Sequence, residues 1–220
     1  MEGVICRLPE VIRIKKKYRC YLYVDEAHSI GALGPHGKGV CDHWGVDPAE
    51  VDLLMGTFTK SFASVGGYIA GDAKVIKYLR SGSFGQTSET SMVPGTCQQA
   101  ISALELIIGK GGTDIGQKKI QQLRDNSNFF RNALIQRGFR VVGDPDSPII
   151  PVLIFYPAKI AAFSREATAR KLALVVVGYP ATPILLSRVR VCISAAHTRE
   201  DLERAVEAFD EIGTLLAIKY

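Results

Sequence analysis

The chain reads as an α/β protein whose first part is built on a parallel sheet and whose second part is a smaller α+β unit. Two runs carry the first prediction. Tyr21-Leu22-Tyr23-Val24 and Asp52-Leu53-Leu54-Met55-Gly56-Thr57-Phe58 are short, apolar and β-prone, as strands covered on both faces of a parallel sheet should be. The third observation is a composition shift near residue 125, after which helices and short strands mix. The expected division is therefore 1–124 and 125–220.

Taken in order, Pro9 sits where a first helical turn tolerates it, and Val11, Ile12 and Ile14 precede Lys15-Lys16-Lys17 within the basic run Arg13 to Arg19, so a helix is expected over about 9–19. A strand follows at about 20–25. Four glycines and Pro35 then punctuate Gly31 to Gly39, which marks a loop. A short helix near Val40–Trp44 completes the crossover to a strand at about 52–58. Gly66 to Gly71 reads as a third strand. From Gly95 to about Gly109 the pattern is helical, with Ile101, Leu104 and Ile108 expected as its stripe. A second helix over about 115–137 should end at a glycine cap, Gly138. The tail alternates strands (149–156, 174–177 and 189–194) with loops. It closes on a helix opened by Thr198-Arg199-Glu200-Asp201, a capping-box pattern, with Leu202, Val206, Phe209, Ile212 and Leu216 buried.

Composition narrows the function classes. The net charge of +5 arises from 27 basic against 22 acidic residues, a modest excess whose densest run reads as a solvated helix face. Nucleic-acid binding has only that run in its favour. Five scattered cysteines without a C-x-x-C pair support neither a zinc site nor a disulfide scaffold, so no metal is expected. No apolar run reaches the roughly 18 to 20 residues that span a bilayer, and no transmembrane segment is expected.

Chemistry enters where the two apolar runs end. The first breaks into Asp25-Glu26-Ala27-His28-Ser29, the second into Thr57, Thr59 and Lys60. Open α/β sheets bind ligands at the carboxyl ends of their strands. If these strands are parallel neighbours, an acid, an imidazole, hydroxyls and a lysine converge on one rim. That set suits a cofactor with a basic ring nitrogen, a phosphate and an aldehyde, namely pyridoxal 5'-phosphate. A carboxylate beside the ring nitrogen keeps it protonated: at an effective dielectric of about 20, unit charges about 4 Å apart attract by roughly 4 kcal/mol, or about three pKa units. Asp25 is the candidate for that acid, and His28 for the phenolic oxygen. Lys60 is the candidate for the covalent lysine and general base. Thr57 and Thr59 are candidates for orienting the cofactor and its phosphate. Asp25-Glu26-Ala27-His28 also spells a helicase-type ATPase box, but the glycine-rich phosphate loop that chemistry requires is absent before Asp25.

Residues 20–71 resemble the α-oxoamine synthase family of fold-type I pyridoxal-phosphate enzymes, whose members carry D-E-A-H-S-x-G and then G-T-x-x-K. Further supporting segments are Asp146-Ser147-Pro148, Pro157-Ala158-Lys159-Ile160, Val175 to Pro183 and Ser194 to Thr198. Within that family the chain resembles the carboxyl-terminal part of the catalytic, long-chain-base-forming subunits. The resemblance implies the carboxyl-terminal part of a fold-type I large domain plus a small α+β carboxyl-terminal domain. It implies decarboxylating condensation of L-serine with a long-chain acyl-CoA to 3-ketosphinganine, the entry to sphingolipid synthesis. It also implies a heterodimer with a second subunit at the cytoplasmic face of the endoplasmic reticulum membrane. Position by position, Lys60 matches the Schiff-base lysine, Asp25 the pyridine partner and His28 the phenolic-oxygen partner, with Thr57 near the cofactor. Arg190 matches the arginine that grips the substrate carboxylate, with Arg188 as the alternative. Thr90 and Ser91 fall where the family reaches a phosphate across the dimer. Ala63-Ser64-Val65 replaces a more glycine-rich stretch, and Glu89 is an unexpected carboxylate beside a phosphate. With 59 residues before Lys60, the resemblance implies a chain with little activity alone. A non-catalytic piece that pairs with or regulates full-length subunits stays open, as does a synthase for another amino acid.

Overall fold

A computed structural model describes residues 1–88 and 90–220, so Glu89 lies outside the described residues. The chain divides into two compact units, one formed by Cys6–Ile120 and the other by Gln121–Tyr220 together with Met1–Ile5.

The unit Cys6–Ile120 holds a three-stranded sheet in the order β1 (Tyr23–Asp25), β2 (Leu53–Thr57), β3 (Gly67–Gly71). β1 and β2 are parallel, with Tyr23 beside Leu53 and Asp25 beside Met55, and β3 returns antiparallel. The crossover from β1 to β2 includes the expected short helix, α2 (Val40–Trp44). Upstream, α1 (Leu8–Tyr18) buries Leu8 and Ile12, one turn apart, and leaves its lysines to solvent or to acids: Lys15 reaches Asp52 at 2.7 Å and Lys16 reaches Glu50 at 2.8 Å. After β3 come two helices that the sequence reading lacked, α3 (Ala73–Gly82) and α4 (Phe84–Ser88). The signal for α3 is Asp72, whose side chain accepts from the Lys74 amide as an N-cap. In α5 (Pro94–Ile107) the expected stripe fails. Ile101, Leu104 and Ile108 are exposed, while Ala100 is buried and Ala103 and Ile107 are half-buried. The face that packs carries Ala100, Ala103 and Ile107, with the Ile107 side chain against Gly31 and Gly37.

In the unit Gln121–Tyr220 with Met1–Ile5, the sheet runs in the order β4 (Ile149–Phe155), β6 (Ser187–Cys192), β5 (Val175–Val177), all antiparallel. Of α6 (Ile115–Gln136), residues 121–136 belong to this unit, and Gly138 follows at φ 82 as expected. The tail departs from simple strand–loop alternation: Pro157 opens a helix, α7 (Pro157–Ala169), between β4 and β5. In α8 (Arg199–Leu215) the Thr198 side chain accepts from the Asp201 amide while Asp201 accepts from the Thr198 amide, the reciprocal capping box. Leu202, Val206, Phe209 and Ile212 are buried beneath it. Phe209 meets Phe130, Phe139 and Phe163 at ring-centroid distances of 5.7, 6.0 and 5.3 Å. Burying each such ring contributes about 1.5–3 kcal/mol.

Candidate active site

The parallel pairing of β1 and β2 decides where the sequence-derived candidates lie. Register partners share a face and successive residues alternate. Asp25, Met55 and Ile69 therefore lie in one row across the three strands, with Thr57 and Gly67 in the next row on the same face. The Glu26 amide extends the parallel pairing by donating to the Met55 carbonyl at 2.7 Å. Asp25 and Thr57 are thus two residues apart in register at the carboxyl ends of neighbouring strands, and Lys60 follows three residues beyond Thr57.

Asp25 is exposed, and its Oδ1 accepts the Ala27 amide at 2.8 Å, which turns the chain away from the strand. Among the described residues no bond to Oδ2 occurs, so one carboxylate oxygen stays available to a ligand. His28 lies exposed in the turn that follows. Thr57 is the hub of the next turn. Its hydroxyl donates to the Gly66 carbonyl at 3.2 Å and accepts the Thr59 amide at 3.2 Å, and its oxygen lies 2.9 Å from the Thr59 hydroxyl. With its one proton committed to Gly66, Thr57 accepts from Thr59, and the lone pairs of Thr59 remain for other donors. Phe58 donates its amide to Gly66 at 2.9 Å and accepts that of Ser64 at 2.8 Å, closing the loop that carries Lys60. Phe62 anchors that loop at 1% exposure, with its carbonyl taken by the Gln99 side chain. Lys60 itself is exposed, with no ion pair among the described residues.

Two glycines make the close approaches. A β-carbon on Gly56 would lie 2.4 Å from the Tyr68 ring, so only glycine lets that tyrosine lie over β2. A β-carbon on Gly31 would lie 2.5 Å from the Ser61 β-carbon, which brings the loop after β1 against the loop holding Lys60. A concavity of about 580 Å³ is lined among others by Met55, Thr57, Tyr68, Ile69, Thr90 and Ser91, while Asp25 and Lys60 are not in its lining. Its size suits a small cofactor, since ligand pockets run to about 300–1,000 Å³. Thr90 and Ser91 share it with Thr57 within one chain. A larger concavity, about 820 Å³, lies at the opposite end of the strands against Tyr21, Tyr23, Leu53 and Val75, away from Lys60.

Tyr68 and Glu26 are site residues that the sequence reading missed. Burial pushes the Tyr68 phenol above its usual range, and the Glu26 charge adds to that. Glu26 is 3% exposed, and burial raises its carboxyl above the usual range against the opposing hydrogen bonds from Ser29 and Val40. The only sequence signal for Tyr68 is its place after two glycines in an edge strand.

Arg188 and Arg190 both lie on β6, in the other unit, and share a face. Arg188 is buried and committed: Nε donates to the Leu186 carbonyl at 3.0 Å and Nη1 pairs with Glu2. The Nε of Arg190 is buried with no hydrogen-bond partner among the described residues. Thr182 Oγ1, in the loop after β5, is also buried without one.

Known proteins can now be set beside this geometry. The chain is 54% identical to serine palmitoyltransferase 2 of Dictyostelium discoideum over 220 residues, covering all of this chain and 45% of that protein. It is 54% identical to long chain base biosynthesis protein 2a of Arabidopsis thaliana over the same span, again 45% of the relative. It therefore spans less than half the length of these curated relatives. Among solved structures, the serine palmitoyltransferase of Sphingomonas wittichii superposes with a TM-score of 0.91 at 28% identity, covering 100% of this chain and 54% of that one. A high-resolution structure of SPT with PLP as internal aldimine matches with a TM-score of 0.90 at 26% identity, covering 99% and 55%. The family model for aminotransferase class I and II matches residues 1–209, and the chain belongs to that family.

Proposed function

We propose that this chain carries a pyridoxal phosphate site on Lys60 and contributes it to the decarboxylating condensation of L-serine with a long-chain acyl-CoA. The observation that carries the reading is the placement of Asp25 and Thr57 on one sheet face, with Thr57 also lining a concavity and Lys60 on the loop that Thr57 closes. The donor set fits the group: a carboxylate with one open oxygen, an exposed amine, and hydroxyls at Thr59, Thr90 and Ser91. Bound pyridoxal phosphate supplies an electron-poor ring able to accept the electron pair left at the substrate's α-carbon.

The chain's own residues then divide the work. With that group bound, Lys60 would hold it through its amine and would move the proton at the substrate's α-carbon. Asp25 holds the proton on the ring nitrogen by charge. His28 hydrogen-bonds the phenolic oxygen, and Thr59, Thr90 and Ser91 orient the phosphate. Thr57 keeps the Lys60 loop closed. Arg190 takes the substrate carboxylate as a planar fork, supported by its partnerless Nε and by the commitment of Arg188 to Glu2. In the reaction the α-carbon of serine bonds to the acyl carbon, the carboxylate leaves as carbon dioxide and coenzyme A leaves as the thiol.

By the same likeness the chain works beside a second subunit, at the cytoplasmic face of the endoplasmic reticulum membrane. Among the described residues no helix is long and apolar enough to cross a membrane. The test is an absorbance titration of the purified chain with pyridoxal phosphate, followed by L-serine, for wild type, Lys60→Ala and Arg190→Ala. A saturable visible band that Lys60→Ala lacks, and that serine perturbs in wild type but not in Arg190→Ala, supports the reading. An identical band in Lys60→Ala contradicts it.

A further inference from the structure

The buried carboxylate of Glu26 belongs to no step above, yet it sits between the two loops that carry the site. Its backbone carbonyl accepts the Ser29 amide at 3.0 Å and the Ile30 amide at 2.9 Å, closing the turn that holds His28. Its side chain then reaches across the loop. Oε1 and Oε2 accept the Val40 amide at 3.2 and 3.1 Å, and Oε2 also accepts the Ser29 hydroxyl. Gly39 stands at φ 87, and a β-carbon there would lie 2.3 Å from Oε2, so the backbone is pressed against the carboxylate. One side chain therefore ties both ends of the loop Ser29–Val40. The loop is folded on itself between those ends, with Gly31 donating to the Gly37 carbonyl at 2.8 Å and Gly39 to the Leu33 carbonyl at 3.1 Å. Asp42 also braces the loop, accepting the His36 and Lys38 amides at 2.7 and 3.2 Å, and Gly31 packs against Ser61, the residue after Lys60.

A buried carboxylate is costly unless its hydrogen bonds are supplied, and here the loop supplies them. The arrangement is stable only with the loop in place. We infer that Glu26 is a positioning residue: through the Ser29–Val40 loop it holds the His28 turn and, by the Gly31–Ser61 contact, sets the loop that presents Lys60. The inference rests on the reading of Lys60 as the cofactor lysine, but its mechanical part does not depend on cofactor. Asp25 lies next to Glu26 and its charge disfavours a second one, as do Cys6, Cys41 and Tyr68 if ionised, which leaves the hydrogen-bonded loop as the stabilising element.

The experiment is amide hydrogen exchange on the 220-residue chain without cofactor, for wild type, Glu26→Ala, Glu26→Gln and the distant Asp52→Asn, with thermal unfolding of each. Losing charge-assisted bonds at one site should speed local opening about tenfold or more. Glu26→Ala is expected to do so over 29–40 and also over 60–64. Glu26→Gln, which keeps an acceptor, should recover part of the protection, and Asp52→Asn at matched melting temperature should leave 60–64 unchanged. Wild-type protection at 60–64 in Glu26→Ala overturns the inference, as does equal loss in Asp52→Asn. Pyridoxal phosphate titration of the same proteins separates the two readings. Absent uptake by wild type would count against the cofactor assignment, while the exchange data would still decide whether Glu26 sets the Lys60 loop.

Discussion

Glu2 and Arg188 form an ion pair between residues 186 positions apart in sequence, and the arginine is the buried partner, with its side chain 3% exposed against 58% for the glutamate. The pair ties the first residues of the chain to strand β6, and the side chain of Asp144, in the loop before β4, accepts the Ile5 amide at 2.7 Å. Glu2→Gln leaves a buried guanidinium without its counter-charge. A fully buried pair broken this way costs about 3–5 kcal/mol; with the glutamate more than half exposed, about 1–2 kcal/mol is expected here. Urea unfolding of the variant measures it.

The same pair separates the two arginines of β6. Arg190→Lys should weaken the response of the cofactor-loaded chain to serine while sparing stability, because a lysine loses the bidentate fork but keeps the charge. Arg188→Lys should do the reverse, lowering stability through loss of its bond to Leu186. Serine titration beside thermal unfolding reads both effects.

Ala63 stands at φ 49, three residues after Lys60, in the left-handed region. That conformation costs a non-glycine residue about 1–2 kcal/mol, while glycine's extra unfolded-state freedom costs about 0.5–1 kcal/mol. The strain is the larger effect. Ala63→Gly should raise stability by about 0.5 kcal/mol, and Ala63→Val should lower it, since branching at the β-carbon worsens the clash. Thermal unfolding of the two variants should move in opposite directions.

Asp52 gives the acid dependence its sign. The Lys15 side chain, at 2.7 Å, and the Leu22 amide hold its carboxyl below the usual carboxylate range. A depressed folded-state pKa contributes stability above the unfolded-state value and loses it as pH falls through the folded one. Melting temperature should therefore fall on acidification below the ordinary carboxylate range. Asp52→Asn should be less stable at neutral pH and show a shallower acid limb.

How much of this was legible in the sequence depends on distance along the chain. The parallel pairing that brings Asp25 and Thr57 to one rim could be read because both runs are apolar and β-prone and the connection between them is long enough for a crossover. The α8 stripe could be read because its capping box and its buried residues agree. The Ile101 stripe of α5 misleads, since periodicity identifies an apolar face but not which face packs, and the side with Ala100, Ala103 and Ile107 is the one less exposed. Helix α7 is hidden from a sequence reading because Pro157 follows a strand and the alanines after it carry little amphipathic signal. Glu2 with Arg188, Gly31 with Ser61, and Glu26 with Val40 are tertiary meetings that no local pattern encodes.

The most direct measurement is borohydride reduction of the chain after incubation with pyridoxal phosphate, followed by digestion and mass mapping of the pyridoxyl group. One modified site is expected, Lys60, at near-stoichiometric occupancy, lost in Lys60→Ala and reduced in Asp25→Asn. Labelling spread over exposed lysines such as Lys16 and Lys17, with Lys60 no more modified than they are, would contradict it.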